Sequence, residues 1–269
     1  MSTLFSRVEM DYPESDGKPM GETDWHIDAI IRLRDMLRLR YRGEQVYVGS
    51  DLLVYYVEGE PRRFVVPDVF VVFDCEPKDR RTFKVWEEKR TPDIVFEITS
   101  RSTAREDQVF KPKFYEQIGI KELFLFDPTG DYLLPQLQGF RFVNGALAAM
   151  LHQNDQFHSE VLGVDISIHD TKLQLIDSRT GNEVLTGEEF ERQAKEFERH
   201  AKEVERHAKE VERQAKEVER QAKEVERQAK EVERRAKEFE RQARMAAEAN
   251  SERIQAELDQ LRKQQKGLT

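Results

Sequence analysis

Two regimes of apolar and polar spacing meet near residue 187. Ahead of that point, apolar residues come in short dense runs separated by Gly, Pro and charged clusters, as in packed strands and helices. From Glu188 onward they thin to a sparse beat among Glu, Lys, Arg, Gln and Ala, as in one long helix. The pattern predicts a globular domain over residues 1–187 and a charged heptad-repeat helix over 188–269.

Within the first regime, "YPESDGKPMGE" reads as a loop. In "TDWHIDAIIRLRDMLRLRY", Ile30, Leu33, Leu37 and Tyr41 recur at helical spacing behind a Thr23 or Asp24 cap. The runs "EQVYVG", "LLVYYV" and "FVVPDVFVVF" read as three strands. The polar stretch "DCEPKDRRTFKVWEEKRTP" follows, either a flap beside a site or a surface loop. "DIVFEITS" is a strand, and "STAREDQVFKPKFYEQIG" a helix opened by a Ser or Thr cap and closed at Gly119. Pro112 lacks an N–H and crowds the preceding turn, so a kink or an early first turn is expected there. "KELFLFDP" is a further strand, and residues 132–176 read as short antiparallel strands. This order predicts an α/β fold, a mixed sheet with helices against it.

A carboxylate interrupts the strand "VFEITS". Alternation places Val95, Glu97 and Thr99 on one face and Ile94, Phe96 and Ile98 on the other. Asp68 breaks the neighbouring run in the same way. Two buried carboxylates repel unless something positive lies between them, and a divalent cation with oxygen ligands, such as Mg²⁺, meets that need. Taken singly, Asp68 after Pro67 also suits a turn or strand start, and Glu97 also suits pairing with a buried Lys or Arg. On the following helix Asp107, Lys111 and Tyr115 recur at i, i+4 and i+8, a stripe that can bring Lys111 to the strand. A Lys beside two carboxylates can orient water or stabilise charge developing on a phosphate.

Charge and composition narrow the function classes. Residues 1–187 hold 32 Asp+Glu against 23 Lys+Arg, and 188–269 hold 21 of each, so the net charge of −9 belongs to the globular part. An acidic domain disfavours broad coating of nucleic acid but leaves room for a metal-filled acidic cleft. Cys75 is the single cysteine, which excludes an intrachain disulfide and a CxxC metal site. Neither a signal-peptide pattern in "MSTLFSRVEM" nor a run of membrane-spanning length is present, so a cytoplasmic location without membrane contact is expected. No Ser/His/Asp or Cys/His set and no Gly-rich phosphate loop of recognised spacing is evident.

The ordered set "PDVFVV…PDIVFEITSRST…D…K…Y…GIKELFLFDP" resembles the Uma-type family of prokaryotic restriction endonucleases in the PD-(D/E)XK nuclease superfamily. The likeness covers about residues 10 to 150, and "YPESDGKPMGETDWH" is similar to an N-terminal variant in that family. It implies a restriction-endonuclease-like fold and Mg²⁺-dependent hydrolysis of DNA phosphodiester bonds, with Mn²⁺ as a substitute ion. By the resemblance, Asp68, Glu97 and the carbonyl of Ile98 hold the metal and Lys111 positions the attacking water. Thr99 stands where the parent motif has Lys, and Lys113 is the rival to Lys111 for that role. Glu22 is either an added ligand or part of a helix cap, and His26 either faces the cleft or covers the helix start. The competing function is a non-catalytic binding or scaffold protein on a degenerate nuclease fold, favoured by Thr99 and the acidic charge.

From Phe190 to Phe239 a seven-residue phrase recurs, with Ala201/Val204, Ala208/Val211 and their successors at positions a and d. Such spacing predicts a left-handed coiled coil and hence a homo-oligomer. After Ala243 the phase changes, and Ile254, Leu258 and Leu261 resume the stripe out of step. The alternative is a solitary solvated helix held by i, i+4 pairs such as Glu198/Lys202.

Overall fold

The structure, a computed structural model, describes residues 11–15, 23–152 and 154–266. The chain divides into two compact units, Met1–Ala194 and Lys195–Thr269.

The first unit is built on a six-stranded mixed sheet of order β1-β4-β6-β7-β8-β9. Its strands are β1 (Val46–Ser50), β4 (Val69–Phe73), β6 (Ile94–Ile98), β7 (Glu122–Phe126), β8 (Leu137–Val143) and β9 (Ala146–Ala149). β6 and β7 run parallel, and the other neighbours run antiparallel. The parallel pair is joined by a crossover through α3 (Lys111–Ile118), as parallel strands require.

Both faces of the central strands are covered, which is why their sequences are near-continuous apolar runs. On one face Val69, Val71, Ile94, Phe96 and Phe124 pack with Leu33, Met36 and Leu37 of α1 (Asp24–Arg40). The same cluster takes in Val164, Ile166 and Leu175 from a separate three-stranded sheet of β10 (Phe157–Ser159), β11 (Val164–His169) and β12 (Lys172–Asp177). On the opposite face Phe70, Val72, Val95, Leu123 and Leu125 pack with Tyr115 of α3. There they also meet Val54, Val65 and Phe83 of a third small sheet of order β3-β2-β5, formed by β2 (Val54–Tyr55), β3 (Phe64–Val65) and β5 (Phe83–Lys84). Each fully buried Phe, Leu or Ile contributes about 1.5–3 kcal/mol.

Three expectations change in detail. "FVVPDVFVVF" is two strands, β3 (Phe64–Val65) and β4, because Pro67 cannot continue a ladder. Asp68 therefore sits at the break, immediately before β4. "DCEPKDRRTFKVWEEKRTP" carries β5 (Phe83–Lys84) and α2 (Val85–Glu88), held by Arg80 donating to Glu88 at 2.7 and 2.9 Å. The helix with Pro112 contains a π turn, Glu106–Phe110, in which the Lys111 N–H reaches back to the Glu106 carbonyl. That wider turn delivers the chain into α3 with Pro112 in its first turn, where the missing donor costs little. Gly119 closes α3 in the left-handed conformation at φ 73°.

The long helix α4 (Gly187–Lys266) starts one residue before the composition changes. A capping box sets the start: Glu189 N–H donates to Thr186 Oγ1 at 3.2 Å, and Thr186 N–H donates to Glu189 Oε2 at 2.9 Å. Arg32 pairs with Glu189 at 2.5 Å, and Gly187 N–H donates to Asp35 at 2.7 Å, so this first turn belongs with the globular unit. Beyond it, Lys–Glu pairs at i, i+4 repeat at 2.6 Å (202/198, 209/205, 216/212), while the d-position residues stay exposed, from 53% at Val211 to 78% at Phe197. Among the described residues no helix is long and apolar enough to cross a membrane.

Asp127, at the end of β7, organises the loop into β8. Its carboxylate accepts the N–H groups of Thr129, Tyr132 and Leu133 at 3.0, 2.6 and 3.0 Å. Burial opposes its ionisation, but these donors prevail and hold its pKa below the ordinary value. A depressed folded pKa stabilises above the unfolded value of about 3.9 and loses that contribution as pH falls through the folded value. Asp127→Asn is accordingly expected to cost about 1–3 kcal/mol at neutral pH, with the gap to wild type narrowing in acid. Urea unfolding at pH 7 and pH 3 measures this, and a gap independent of pH would refute it.

Candidate active site

Glu97 lies on β6 with Val95, on the face that α3 covers. Its side chain is fully buried, and both oxygens are engaged: Lys111 Nζ donates to Oε2 at 2.6 Å and the Tyr115 hydroxyl donates to Oε1. Lys111 also lies 3.0 Å from Asp107 Oδ1. The stripe at 107, 111 and 115 therefore faces inward and clamps the strand from one side.

A polar turn brings the helix back over the strand. Ser100 N–H donates to Thr103 Oγ1 at 3.1 Å, and Ser100 Oγ meets Ser102 and Thr103 hydroxyls at 2.9 and 3.2 Å. This hydroxyl cluster reverses the chain within a few residues.

Asp68 reaches the same region from the start of β4. The β4–β6 ladder is registered at Val69↔Phe96, and the next N–H on that edge of β6, from Ile98, donates to Asp68 Oδ2 at 2.6 Å. A strand residue's carbonyl leaves on the same edge as its N–H, so Ile98 presents its carbonyl toward Asp68 as well. His26, buried in the first turns of α1, places Nε2 3.7 Å from Asp68 Oδ2.

The electrostatics follow from burial and crowding. Burial and the charges of Asp68 and Asp107 push Glu97 well above the usual carboxylate range despite Lys111. Burial likewise raises Asp107. Burial would raise Asp68 too, but Lys111, His26 and the Ile98 N–H outweigh it and hold it low. Burial would neutralise Lys111, yet Glu97, Asp68 and Asp107 together keep it protonated far above its ordinary range. Burial and Glu97 raise Tyr115, so its hydroxyl stays a donor.

Glu97 and Asp107 contact the Lys111 ammonium and Asp68 acts on it electrostatically, so three buried carboxyl groups crowd one cation, and burial with the repulsion among them raises the pKa of Glu97 and Asp107. The donors are hard oxygens suited to Mg²⁺ or Mn²⁺. Thr99, on the Glu97 face, adds a buried hydroxyl oxygen with no hydrogen-bond partner among the described residues. Both observations fit a divalent cation. Among the described residues no three His, Cys, Asp or Glu side chains are grouped to hold an ion by themselves. The set would therefore be Asp68 and Glu97 with the Ile98 carbonyl.

Asp68, Glu97, Ile98, Thr99, Asp107, Lys111 and Tyr115 are brought together, with His26 beside Asp68. Lys113 is not: two residues beyond Lys111, it sits on the exposed side of α3. Glu22 lies outside the described residues. The direct bond between Asp68 and the Ile98 amide has no counterpart in the sequence reading, since the break before β4 is what frees Asp68 to make it.

A family model described as "Uma2: Putative restriction endonuclease" matches residues 11–169. The chain is also similar to a solved structure, a putative nuclease belonging to DUF820 from Anabaena variabilis ATCC 29413. The two are 12% identical, and the match covers 62% of this chain and 81% of that one at a TM-score of 0.39. No curated protein matches the chain.

Removing the ammonium while keeping the carboxylates should unbalance the pocket. Lys111→Met is expected to lose about 3–5 kcal/mol at pH 7 in metal-free buffer. Adding Glu97→Gln to it should restore a large part, because a neutral amide needs no counter-charge. Urea unfolding of both variants decides this, and a double variant no more stable than the single one would refute the charge balance.

Proposed function

The chain belongs to the Uma2 putative restriction endonuclease family, and we propose that it is a divalent-metal-dependent endonuclease acting on DNA through Asp68, Glu97 and Lys111. The observation that carries this reading is the crowding of the buried Glu97, Asp107 and Asp68 carboxyl groups about Lys111, at the strand ends where Asp68 meets Ile98. Asp68, Glu97 and the Ile98 carbonyl would hold Mg²⁺ or Mn²⁺, which when bound neutralises phosphate charge and acidifies water.

The remaining groups act as positioned charges and hydrogen bonds. Lys111, held protonated by its neighbours, supplies a fixed positive charge to a phosphate oxygen or orients the attacking water. Tyr115 fixes the rotation of the Glu97 carboxylate, and Asp107 keeps Lys111 pointed inward. His26 steadies Asp68 from the α1 side. The cleaved bond is P–O: water oxygen bonds to phosphorus as the leaving oxygen departs with a proton.

The tail supports a further part of the proposal, that the protein is a homo-oligomer through 195–269. A straight helix drifts about 20° per heptad against a seven-residue repeat, so a stripe kept from Phe197 to Phe239 stays in register only along a supercoil. Two chains would bring two sites to one duplex and raise the effective concentration of the second.

Purified protein should nick or cut plasmid in Mg²⁺ or Mn²⁺ and not in EDTA. Asp68→Ala should lower the rate at least about a hundredfold without unfolding the protein. Cleavage undiminished by Asp68→Ala would refute the site, and a folded wild type that binds DNA without cutting it would favour the scaffold reading.

Light scattering tests the tail. The full chain should weigh at least two protomers and a chain ending at Ala194 one, whereas equal monomeric masses would make α4 a solitary helix.

A further inference from the structure

Beside the acidic cluster runs a ledge of two exposed Phe rings and the half-buried ring of Tyr56, flanked by guanidinium groups, which the hydrolytic role does not use. Phe110 and Phe114 share the helical stripe next to that of Asp107, Lys111 and Tyr115, and they are 46% and 36% exposed. Arg105 stacks over Phe110 at 5.6 Å from the ring centre. Phe114 faces Tyr56, with centroids 6.2 Å apart at 43°, and Arg63 lies 5.5 Å over the Tyr56 ring. The sequence is therefore Arg, Phe, Phe, Tyr, Arg across the surface, with Glu60 3.8 Å from the outer Arg63.

Exposed aromatic rings cost hydration free energy, and the guanidinium groups over Phe110 and Tyr56 still leave the two Phe side chains open to solvent. The arrangement does match a chain that alternates flat apolar faces with negative charges. A polynucleotide meets that description: its bases stack on rings and guanidinium planes while its phosphates take the charges. A paired base inside a duplex has its faces covered by its neighbours and cannot use such a platform. An unpaired base can.

The geometry points to a single-stranded or locally unpaired nucleic acid as the substrate class, with a base stacked on Phe110, Phe114 and Tyr56 and flanking phosphates on Arg105 and Arg63. This rests on the nuclease reading of the adjacent site for its purpose, but binding can be measured without cleavage. Placing the scissile phosphate at Lys111 puts the neighbouring nucleotide beside the next stripe of the same helix. The ledge then selects which phosphodiester bonds reach the carboxylates: those at gaps, ends, loops or melted steps.

The test uses the full chain in EDTA, with fluorescence anisotropy of an end-labelled single-stranded oligonucleotide and of its duplex. Wild type should bind the single strand more tightly than the duplex. Phe110→Ala/Phe114→Ala should weaken single-strand binding about tenfold or more and leave duplex binding little changed. Phe110→Tyr/Phe114→Tyr, which keeps both rings, should retain wild-type affinity, and Leu134→Ala, at an exposed apolar residue outside the ledge, serves as the control. Arg105→Gln should lower the slope of log affinity against log salt by about one. Equal affinity for single strand and duplex, or no loss in the double Ala variant, overturns the proposal. A double Ala variant that loses self-association instead of oligonucleotide binding also overturns it, making the ledge a contact between copies. Cleavage is read separately in Mg²⁺: its absence with the binding preference intact refutes the hydrolytic reading alone.

Discussion

A fully buried carboxylate has to be answered by its surroundings, and the answer to Glu97 organises the heart of this fold. Lys111 and Tyr115 take its two oxygens, which fixes α3 against β6 in one rotation and one register along the strand. Asp107 then holds Lys111, and Asp68 closes the edge of β6 by taking the Ile98 amide. Apolar packing alone would tolerate α3 sliding or turning on the sheet. Charge pairs of this kind do not, because each displaced partner would be left charged and unpaired in low dielectric.

Three carboxyl groups crowd one ammonium there, and burial raises the pKa of Glu97 and Asp107. Stability alone would be served better by an apolar cluster of the same volume. The rest of the unit supplies rigidity: both faces of the central strands are covered, and Asp127 ties the turn that leaves β7.

The long helix obeys different physics. Its ladder of Lys–Glu pairs is solvent-exposed, and each such pair adds little to stability because water screens it. Eighty residues of helix can persist on propensity and these pairs, so helicity by itself says little about partners.

Much of this was legible in the sequence by itself. Runs such as "DIVFEITS" and "KELFLFDP" mark strands covered on both faces, the 107, 111, 115 spacing marks one side of a helix, and the heptads mark the tail, because side-chain period is a local property of the backbone. The motif order "PD…FEITS…K" likewise placed the chain in its family. Local period cannot say which element covers a given face. That Asp68 bonds the Ile98 amide, that His26 comes to Asp68 from α1, and that β10–β12 and β2–β3–β5 form separate sheets depend on contacts between residues far apart in the chain. The π turn before Pro112 and the choice of Lys111 over Lys113 lie between these cases: Pro112 announces a disturbance, but only packing against Glu97 decides which side of the helix turns inward, because burying Lys111 there satisfies a charge and burying Lys113 would not.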